Sequence, residues 1–552
     1  MGTISIPENY SKEVIKEIAV NQIAYGVNDE KIAVIKEFGG KMYLVNADTN
    51  EAVFEAEAKG PIFDNTNEIN VYHFDFSAVK DEGNYYIASE KGVSYTFKIS
   101  ADPLNEITYA MLKMLYFQRC GCGLEEKYAG KYAHGKCHNV SAFLCTDSRL
   151  IVDDVRGGWH DAGDYGRYIT PANQCIFNLM YAFELYRKGV DADINIPETG
   201  NGIPDILNEA MHELKWMLKM QTPQGGVYHK VCTTQFAGNT MPQDDFDENN
   251  PMVLSQISIQ ATAGFAASLS AAYRVYLPYD EEFAKKCLNA AIKAFDFASK
   301  NESKIMTEFK TIAPGGGGVY GDLNANDELY WAAAELFRST GDVKYEEKFK
   351  EYYEREFSKT SYGAYHQGGH GSLCYCLTEN ADEEMKAKVL KHIVDAAEET
   401  NKVSANDAYY VALGKNDYYW GSNAALVNRL SNSVAAAILT NTDKYDQAMK
   451  DSLSYVFGRN IISQCYVTGF GSNPTKNPHH RPSMFDGVDE PVPGMVIGGP
   501  NDRKWERPEN SEGLPSAACY IDWEWNWTTN EVTIYWNTAT FFVAGYLNSK
   551  NK

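Results

Sequence analysis

Carboxylates set among glycines and aromatic rings are the first residues in this chain that could do chemistry. The run Gly157-Gly158-Trp159-His160-Asp161-Ala162-Gly163-Asp164-Tyr165 puts two aspartates three positions apart in a glycine-rich turn ahead of a helix. Small neighbours let a ligand come close to the backbone and leave both carboxylates uncrowded. Two acids in one pocket can orient a water jointly, one of them acting as base. The same residues would also serve as a helix N-cap plus a cation ligand. Near the other end, Tyr520-Ile521-Asp522-Trp523-Glu524-Trp525-Asn526-Trp527-Thr528-Thr529-Asn530-Glu531-Val532-Thr533 crowds three acids among four rings. A carboxyl beside aromatic surface is desolvated, so its pKa rises and it keeps a proton to donate. An aromatic loop that merely packs is the plainer alternative. Hydrolysis of a glycosidic bond needs such a pair, one carboxyl as acid and one as base or nucleophile. The residues alone do not say which carboxyl partners which.

Thiols and imidazoles form a second constellation. Cys120, Cys137, His138 and His160 follow the pattern C-x16-C-H-x21-H. Thiolate and imidazole together select zinc, and four such ligands make a closed, structural site. Spacing alone is weak support, because free cysteines are commonly buried core, and Cys122 competes with Cys120. Two sets of hard oxygens could take calcium: Glu198, Asn201 and Asp205 in a glycine-bearing loop, and Asp327 with Glu328 at the start of a helix. Acids before a helix also act as caps.

These groups must be positioned by two different kinds of chain. Residues 1–102 read as a small all-β sandwich of immunoglobulin size. KIAVI (31–35), KMYLVNA (41–47), NVYHFDFS (70–77), NYYIAS (84–89) and VSYTFKIS (93–100) are short β-branched or aromatic runs with turn signals between them. Residues 103–552 change to a helical period, as in Asp205–Gln221, where Ile206, Leu207, Ala210, Met211, Leu214, Met217 and Leu218 form one stripe. About eleven such segments follow one another, several without a strongly polar face, as inner helices of a double ring would be. A mostly α fold with an (α/α)6 toroid fits. Long loops at 223–252, 311–326 and 463–530 interrupt it, and loops of that length are usually functional.

Composition removes several classes of partner. Net charge is −23, with 74 acidic against 51 basic residues, so nucleic acid and anionic membrane are disfavoured while a neutral polymer is not repelled. The uncharged run Pro251–Tyr273 is too rich in Ser, Gln, Thr and Ala for a membrane span. Residues 1–15 lack the features of a secretory signal, which implies a cytoplasmic protein or a trimmed, secreted mature form. Eleven cysteines argue against a disulfide framework. Gly316-x-Gly318-x-x-Gly321 matches a dinucleotide fingerprint formally, but no βαβ unit surrounds it, so it reads as a flexible loop and no organic cofactor is expected. His366, His370 and Ser372 sit in a glycine-rich stretch that reads as loop. Tyr419 and Trp420, within Tyr418–Asn423, could stack on a glucosyl unit or belong to the core.

The C-terminal segment carries a longer pattern. Tyr520, Asp522, Trp527, Glu531, Thr533, Asn537 and Thr538 satisfy every position of a motif of glycoside hydrolase family 9. The family's histidine motif appears as Val467–Asn473 leading to Pro478-His479-His480-Arg481, with Cys465 where Ser, Thr or Val is usual. The Asp161–Asp164 turn, GNGIPDILNEA (200–210) and DELYWAAAELFRSTGD (327–342) also resemble that family, in the subgroup with an N-terminal immunoglobulin-like domain. The resemblance implies an inverting β-1,4-glucanase acting on cellulose, mixed β-glucan or cello-oligosaccharides, with Asp164 as base, Asp161 helping to hold the water and Glu531 as acid. It also implies that His479 and Arg481 bind sugar hydroxyls, that Trp536 lies against the reacting sugar and that Asp522 supports the acid loop. It further implies zinc at Cys120, Cys137, His138 and His160, bracing the turn through His160. An exo-acting cellodextrinase, cellobiohydrolase or glucosaminidase of the same family is the alternative. A non-catalytic glycan-binding protein is the alternative from another class. A monomer with a stabilising N-terminal domain is expected.

Overall fold

The computed structural model describes residues 4–7, 10–304, 316–503, 507–509 and 511–552. Parts of two expected loops, 311–315, 504–506 and 510, lie outside the described residues. Eight strands come first: β1 Ile18–Ala19, β2 Ala24–Gly26, β3 Ile32–Lys36, β4 Gly40–Asn46, β5 Ala52–Asp64, β6 Ile69–Asp75, β7 Gly83–Ala88 and β8 Phe97–Ser100. They hydrogen-bond in the order β1-β3-β6-β5-β4-β7-β8-β2. The long β5 pairs with β4 through its first half and with β6 through its second, so it passes from one layer to the other across a register shift between Lys59 and Ile62. Alternate side chains, among them Ala33, Ile35, Met42, Leu44, Phe74, Phe76 and Ile87, are buried between the layers, as the period of two demands. Strand β5 was not expected from sequence. Its glutamates and lysine alternate with half-buried residues, and Gly60-Pro61 imitates a breaker at the place where the strand changes layer.

Twelve helices of nine residues or more follow among the described residues: α1 Asn105–Phe117, α2 Ile169–Tyr186, α3 Asp205–Lys219, α4 Ile259–Tyr276, α5 Glu281–Lys300, α6 Asn326–Thr340, α7 Val343–Tyr353, α8 Gly368–Cys376, α9 Glu383–Asn406, α10 Ser422–Thr440, α11 Asp446–Val456 and α12 Ile534–Ser549. Helices α2, α4, α6, α8, α10 and α12 each touch the next, and α12 closes on α2. The others pack outside this ring. Burial separates the two sets: sixteen of eighteen residues are buried in α4, against eight of twenty in α5. The result is an (α/α)6 toroid preceded by an immunoglobulin-like sandwich. No helix is long and apolar enough to cross a membrane among the described residues.

One inner helix corrects the sequence reading. Gly368–Cys376, expected as loop, is α8, with His370 and Ser372 fully buried. Its glycines permit close packing, not turning. A Cβ on Gly371 would sit 2.7 Å from the Tyr330 ring and 2.8 Å from the Trp331 Cα. A small five-stranded sheet is made of residues 142–144, 147–152, 167–168, 230–233 and 252–254. It pairs Tyr168 with Lys230.

Candidate active site

The turn that carries Asp161 and Asp164 is fixed from both ends. Asp161 donates its backbone N–H to Gly166 (2.9 Å), and its carbonyl accepts from Ile534 at the start of α12 (2.8 Å). Its carboxyl is buried. Tyr320 donates its hydroxyl to Oδ2 at 2.6 Å, and Oδ1 has no partner among the described residues. Burial, with the nearby charge of Asp164 adding to it, pushes the Asp161 carboxyl well above the usual range. Asp164 accepts two hydrogen bonds, from the Gly166 N–H (2.9 Å) and the Tyr168 hydroxyl (2.6 Å). Such donors stabilise negative charge on a carboxylate. Gly317, in the left-handed region at φ 100°, packs directly onto this pair. A Cβ there would lie 2.0 Å from the Tyr168 hydroxyl and 2.5 Å from Asp164 Oδ2.

Glu531 reaches the same place from the far end of the chain. It follows the short helix Trp527–Asn530 and forms an isolated parallel bridge with His479. Trp420 donates its indole N–H to Oε2 at 2.9 Å. Burial first, then the charges of Asp164 and Asp161, push the Glu531 pKa up to about 8. His479 donates Nδ1–H to the Glu524 carbonyl (2.6 Å), which commits that nitrogen to the protein. Burial lowers its pKa, so the ring favours the neutral form. Arg481 donates to the carbonyls of Gly163 and Gly238.

Asp164, Glu531, His479, Arg481, Trp420 and Trp536 border one cavity of about 650 Å³, together with Phe236, Tyr320, Tyr365, Trp525, Trp527 and Tyr535. Asp161 is buried and is joined to this cavity through the hydroxyl of Tyr320, which borders it. Asp522 is also set back: its carboxylate accepts from the backbone of Lys476 and Asn477 (2.9 Å each), holding the segment that leads to His479. Tyr419 borders a neighbouring cavity instead. Sequence reasoning missed Tyr168, Tyr320 and Tyr365. Tyr320 lies inside the 316–321 glycine stretch read as flexible, yet this stretch is anchored: Gly316 donates to Thr233 (2.7 Å) and His229 to the Val319 carbonyl (2.7 Å). Tyr168, four residues after Asp164, carried a spacing signal that went unused.

Cys120, Cys137, His138 and His160 converge, all fully or almost fully buried. The two sulfurs are 4.0 Å apart, the nitrogens His138 Nδ1 and His160 Nε2 3.2 Å, and the sulfur–nitrogen pairs 3.6 and 3.8 Å. Tetrahedral corners at thiolate and imidazole bond lengths to a small divalent ion are spaced about 3.8, 3.3 and 3.6 Å in the same order. Asp245 faces His138 Nε2 at 3.3 Å, which leaves Nδ1 for a metal. Cys122 is outside the set. Of the expected calcium ligands, Glu198 is engaged by Arg119 through both oxygens (3.0 Å), and Asp205 accepts from Ile194 and Thr199 (2.9 and 2.6 Å). Asn201 accepts from Ile203 (2.9 Å), so this loop is braced by its own donors. Asp327 and Glu328 cluster with Asp322, which sequence had not suggested. Glu328 Oε2 is buried without a partner among the described residues.

Comparison with known proteins agrees with this architecture. A cellodextrinase of Butyrivibrio fibrisolvens is 33% identical over 96% of this chain and 99% of its own length. Endoglucanase D of Acetivibrio thermocellus is 34% identical over 99% of this chain and 86% of its own. The crystal structure of a thermostable endoglucanase variant from Alicyclobacillus acidocaldarius superposes with a TM-score of 0.89, at 31% identity, over 97% of this chain and 100% of that one. The cellulase N-terminal ig-like domain matches residues 13–94 and glycosyl hydrolase family 9 matches residues 105–544, so the chain belongs to glycosyl hydrolase family 9.

Proposed function

We propose that this chain is an inverting β-1,4-glucanase that hydrolyses cellulose-type glucans or cello-oligosaccharides by general acid–base catalysis. One observation carries the reading: Asp164 and Glu531, 367 positions apart (531 − 164), border a single cavity walled by Tyr365, Trp420, Trp525, Trp527 and Trp536. Flat rings suit the apolar faces of sugar units. Asp164 is the base that deprotonates the attacking water. Asp161, whose carboxyl accepts from the Tyr320 hydroxyl, helps to hold that water. Glu531, with a pKa near 8, is protonated at neutral pH and delivers its proton to the leaving oxygen. His479 and Arg481 bind sugar hydroxyls beside the cleavage point, and Trp536 with Trp420 flanks the reacting unit. Inversion requires carboxyls roughly 6.5–9.5 Å apart, with room for a water between them.

Replacing Glu531 with Gln is expected to lower kcat on cellopentaose by about 10²–10⁴-fold while the protein still unfolds in one cooperative transition. The first product observed by proton NMR is expected to be the α anomer. Retained activity in the variant, or a β product, overturns the assignment. The Butyrivibrio relative is named a cellodextrinase, which supports soluble cellodextrins as substrate, and exo-trimming of such chains is the second reading. Several fragment lengths appearing together from cellopentaose mark an endo cutter, and one complementary pair of fragments marks an exo cutter.

For the four-residue cluster we propose zinc, held by Cys120, Cys137, His138 and His160 as a structural brace. Such an ion would tie three separate segments into one unit. Calcium, by the same token, is proposed for Asp322, Asp327 and Glu328, an all-oxygen set.

A further inference from the structure

One short strand, residues 230–233, holds the glycine-rich stretch that lies against the catalytic carboxyls. The Thr233 carbonyl accepts the Gly316 N–H at 2.7 Å, and His229, just before the strand, donates to the Val319 carbonyl at 2.7 Å. Between these anchors stands Lys230, which is 1% exposed. Its backbone is pinned on both sides: the N–H donates to Ser255 Oγ (2.8 Å) and the carbonyl accepts from the Ser255 N–H (3.0 Å). Its Nζ donates to three successive carbonyls, those of Gly316 (3.5 Å), Gly317 (3.3 Å) and Gly318 (3.0 Å). The same ammonium lies 5.4 Å from the centre of the Tyr168 ring.

Three neighbouring carbonyl dipoles turned towards one point repel one another. A cation with three N–H donors converts that repulsion into attraction. The arrangement serves the ammonium equally, since a buried charge is tolerated only with such partners. Gly317 has its carbonyl on Lys230, while its Cα packs so close to the Tyr168 hydroxyl and Asp164 Oδ2 that no Cβ fits. Tyr168 has its ring beside Lys230 and its hydroxyl on Asp164 (2.6 Å). Lys230 therefore meets two groups that touch the Asp164 carboxylate: the backbone of Gly317 and the side chain of Tyr168.

We propose that Lys230 is a positioning residue for the catalytic base, setting where the Asp164 carboxylate points by gathering the 316–318 carbonyls and lying beside the Tyr168 ring. The inference rests on the reading of Asp164 as the base of a glucanase. Among the described residues Lys230 is not one that borders the catalytic cavity. Its influence passes through Gly317 and Tyr168, so it bears on the rate of the reaction and not on the hold on the sugar.

The test follows cellopentaose hydrolysis by the full chain carrying Lys230→Met, which keeps the bulk of the stem and removes its donors and charge. This variant is expected to lower kcat about ten- to a hundredfold. KM is expected to stay within about twofold of wild type, the pattern of a contact that matters only in the transition state. Because Lys230 acts through Gly317, the double variant Lys230→Met/Gly317→Ala is expected to lose little more than the worse single variant. A lysine that merely supports the fold gives losses in kcat that multiply. Multiplying losses overturn the inference, as does a normal kcat in Lys230→Met. Should Lys230→Met not fold, Lys230→Gln, alone and with Gly317→Ala, gives the same comparison. Asp164→Asn separates this inference from the reading beneath it. If Asp164→Asn is inactive and Lys230→Met is normal, the inference alone falls. If Asp164→Asn keeps the wild-type kcat, Asp164 is not the base, and both fall.

Discussion

At the scale of single residues, proton placement decides what this site can do. Glu531 has a folded pKa of about 8, far above an exposed glutamate. A raised pKa means that the folded state binds the proton more tightly than the unfolded chain. That contribution to stability is complete below about pH 4.3 and is lost as pH climbs through about 8. Glutamine at 531 does not titrate. The melting temperature of Glu531→Gln, relative to wild type, is therefore expected to rise between pH 5 and pH 9, and a gap that stays constant over that window refutes the raised pKa. Gly317 gives a prediction of a different kind, since its backbone lies against Asp164 and Tyr168 where no Cβ fits. Gly317→Ala must displace one of those two oxygens. A small misplacement of a reacting group costs about a hundredfold in rate, so kcat on cellopentaose should fall by that order, with a lower Tm because alanine at φ 100° is strained. A variant with normal kcat would mean that the contact does not position the base.

At the scale of elements, some parts of the molecule were readable in the residues and others were not. Apolar stripes with period 3.6 located most of the helices. The sandwich strands were visible wherever β-branched and aromatic residues clustered. The missed pieces share a cause: β5 and α8 are defined by what packs against them. Glycine in α8 opens space for Tyr330 and Trp331, a tertiary role that composition cannot distinguish from a loop. Likewise, Asp161 and Asp164 were legible as a pair, but Tyr320 and Tyr168, which hold them, come from a different segment or an unremarked spacing. The Cys/His set shows the converse, since the four positions were picked in sequence and the fold brings them within bonding range of a single ion. An ion held there, as proposed, would tie the chain just after α1 to residues 137–138 and to the Asp161–Asp164 turn. Metal removal is thus expected to loosen Asp161 through His160. A strong chelator, or Cys137→Ser, should lower Tm on the order of 5–10 °C and reduce kcat together with it. An unchanged melt after verified metal removal argues against a structural ion.

At the scale of the whole molecule, the sandwich does more than sit beside the toroid. Gln22, between β1 and β2, donates its backbone N–H to the Phe457 carbonyl (2.9 Å) and its Nε2 to the Ser463 carbonyl (2.8 Å), and its Oε1 accepts from the Asn473 N–H (2.7 Å). The side chain fits a notch where Gly458, at φ 120°, leaves no room for a Cβ, which would lie 2.5 Å from Gln22 Nε2. Asn473 belongs to the segment that runs on to His479 in the catalytic cavity, and Lys36 adds a bond to the Ile461 carbonyl nearby (2.8 Å). One buried amide therefore links the sandwich to the segment that carries His479 and Arg481 to the cavity. Gln22→Leu keeps the volume but strands the Ser463 carbonyl and the Asn473 N–H, each at a cost of about 1–3 kcal/mol. Calorimetry is expected to show a lower Tm for this variant and a rise in KM on cellopentaose larger than any fall in kcat, because binding groups on the 473–481 segment lose their support while Asp164 and Glu531 keep theirs. If Tm and KM both match wild type, the sandwich does not communicate with the cleft through Gln22.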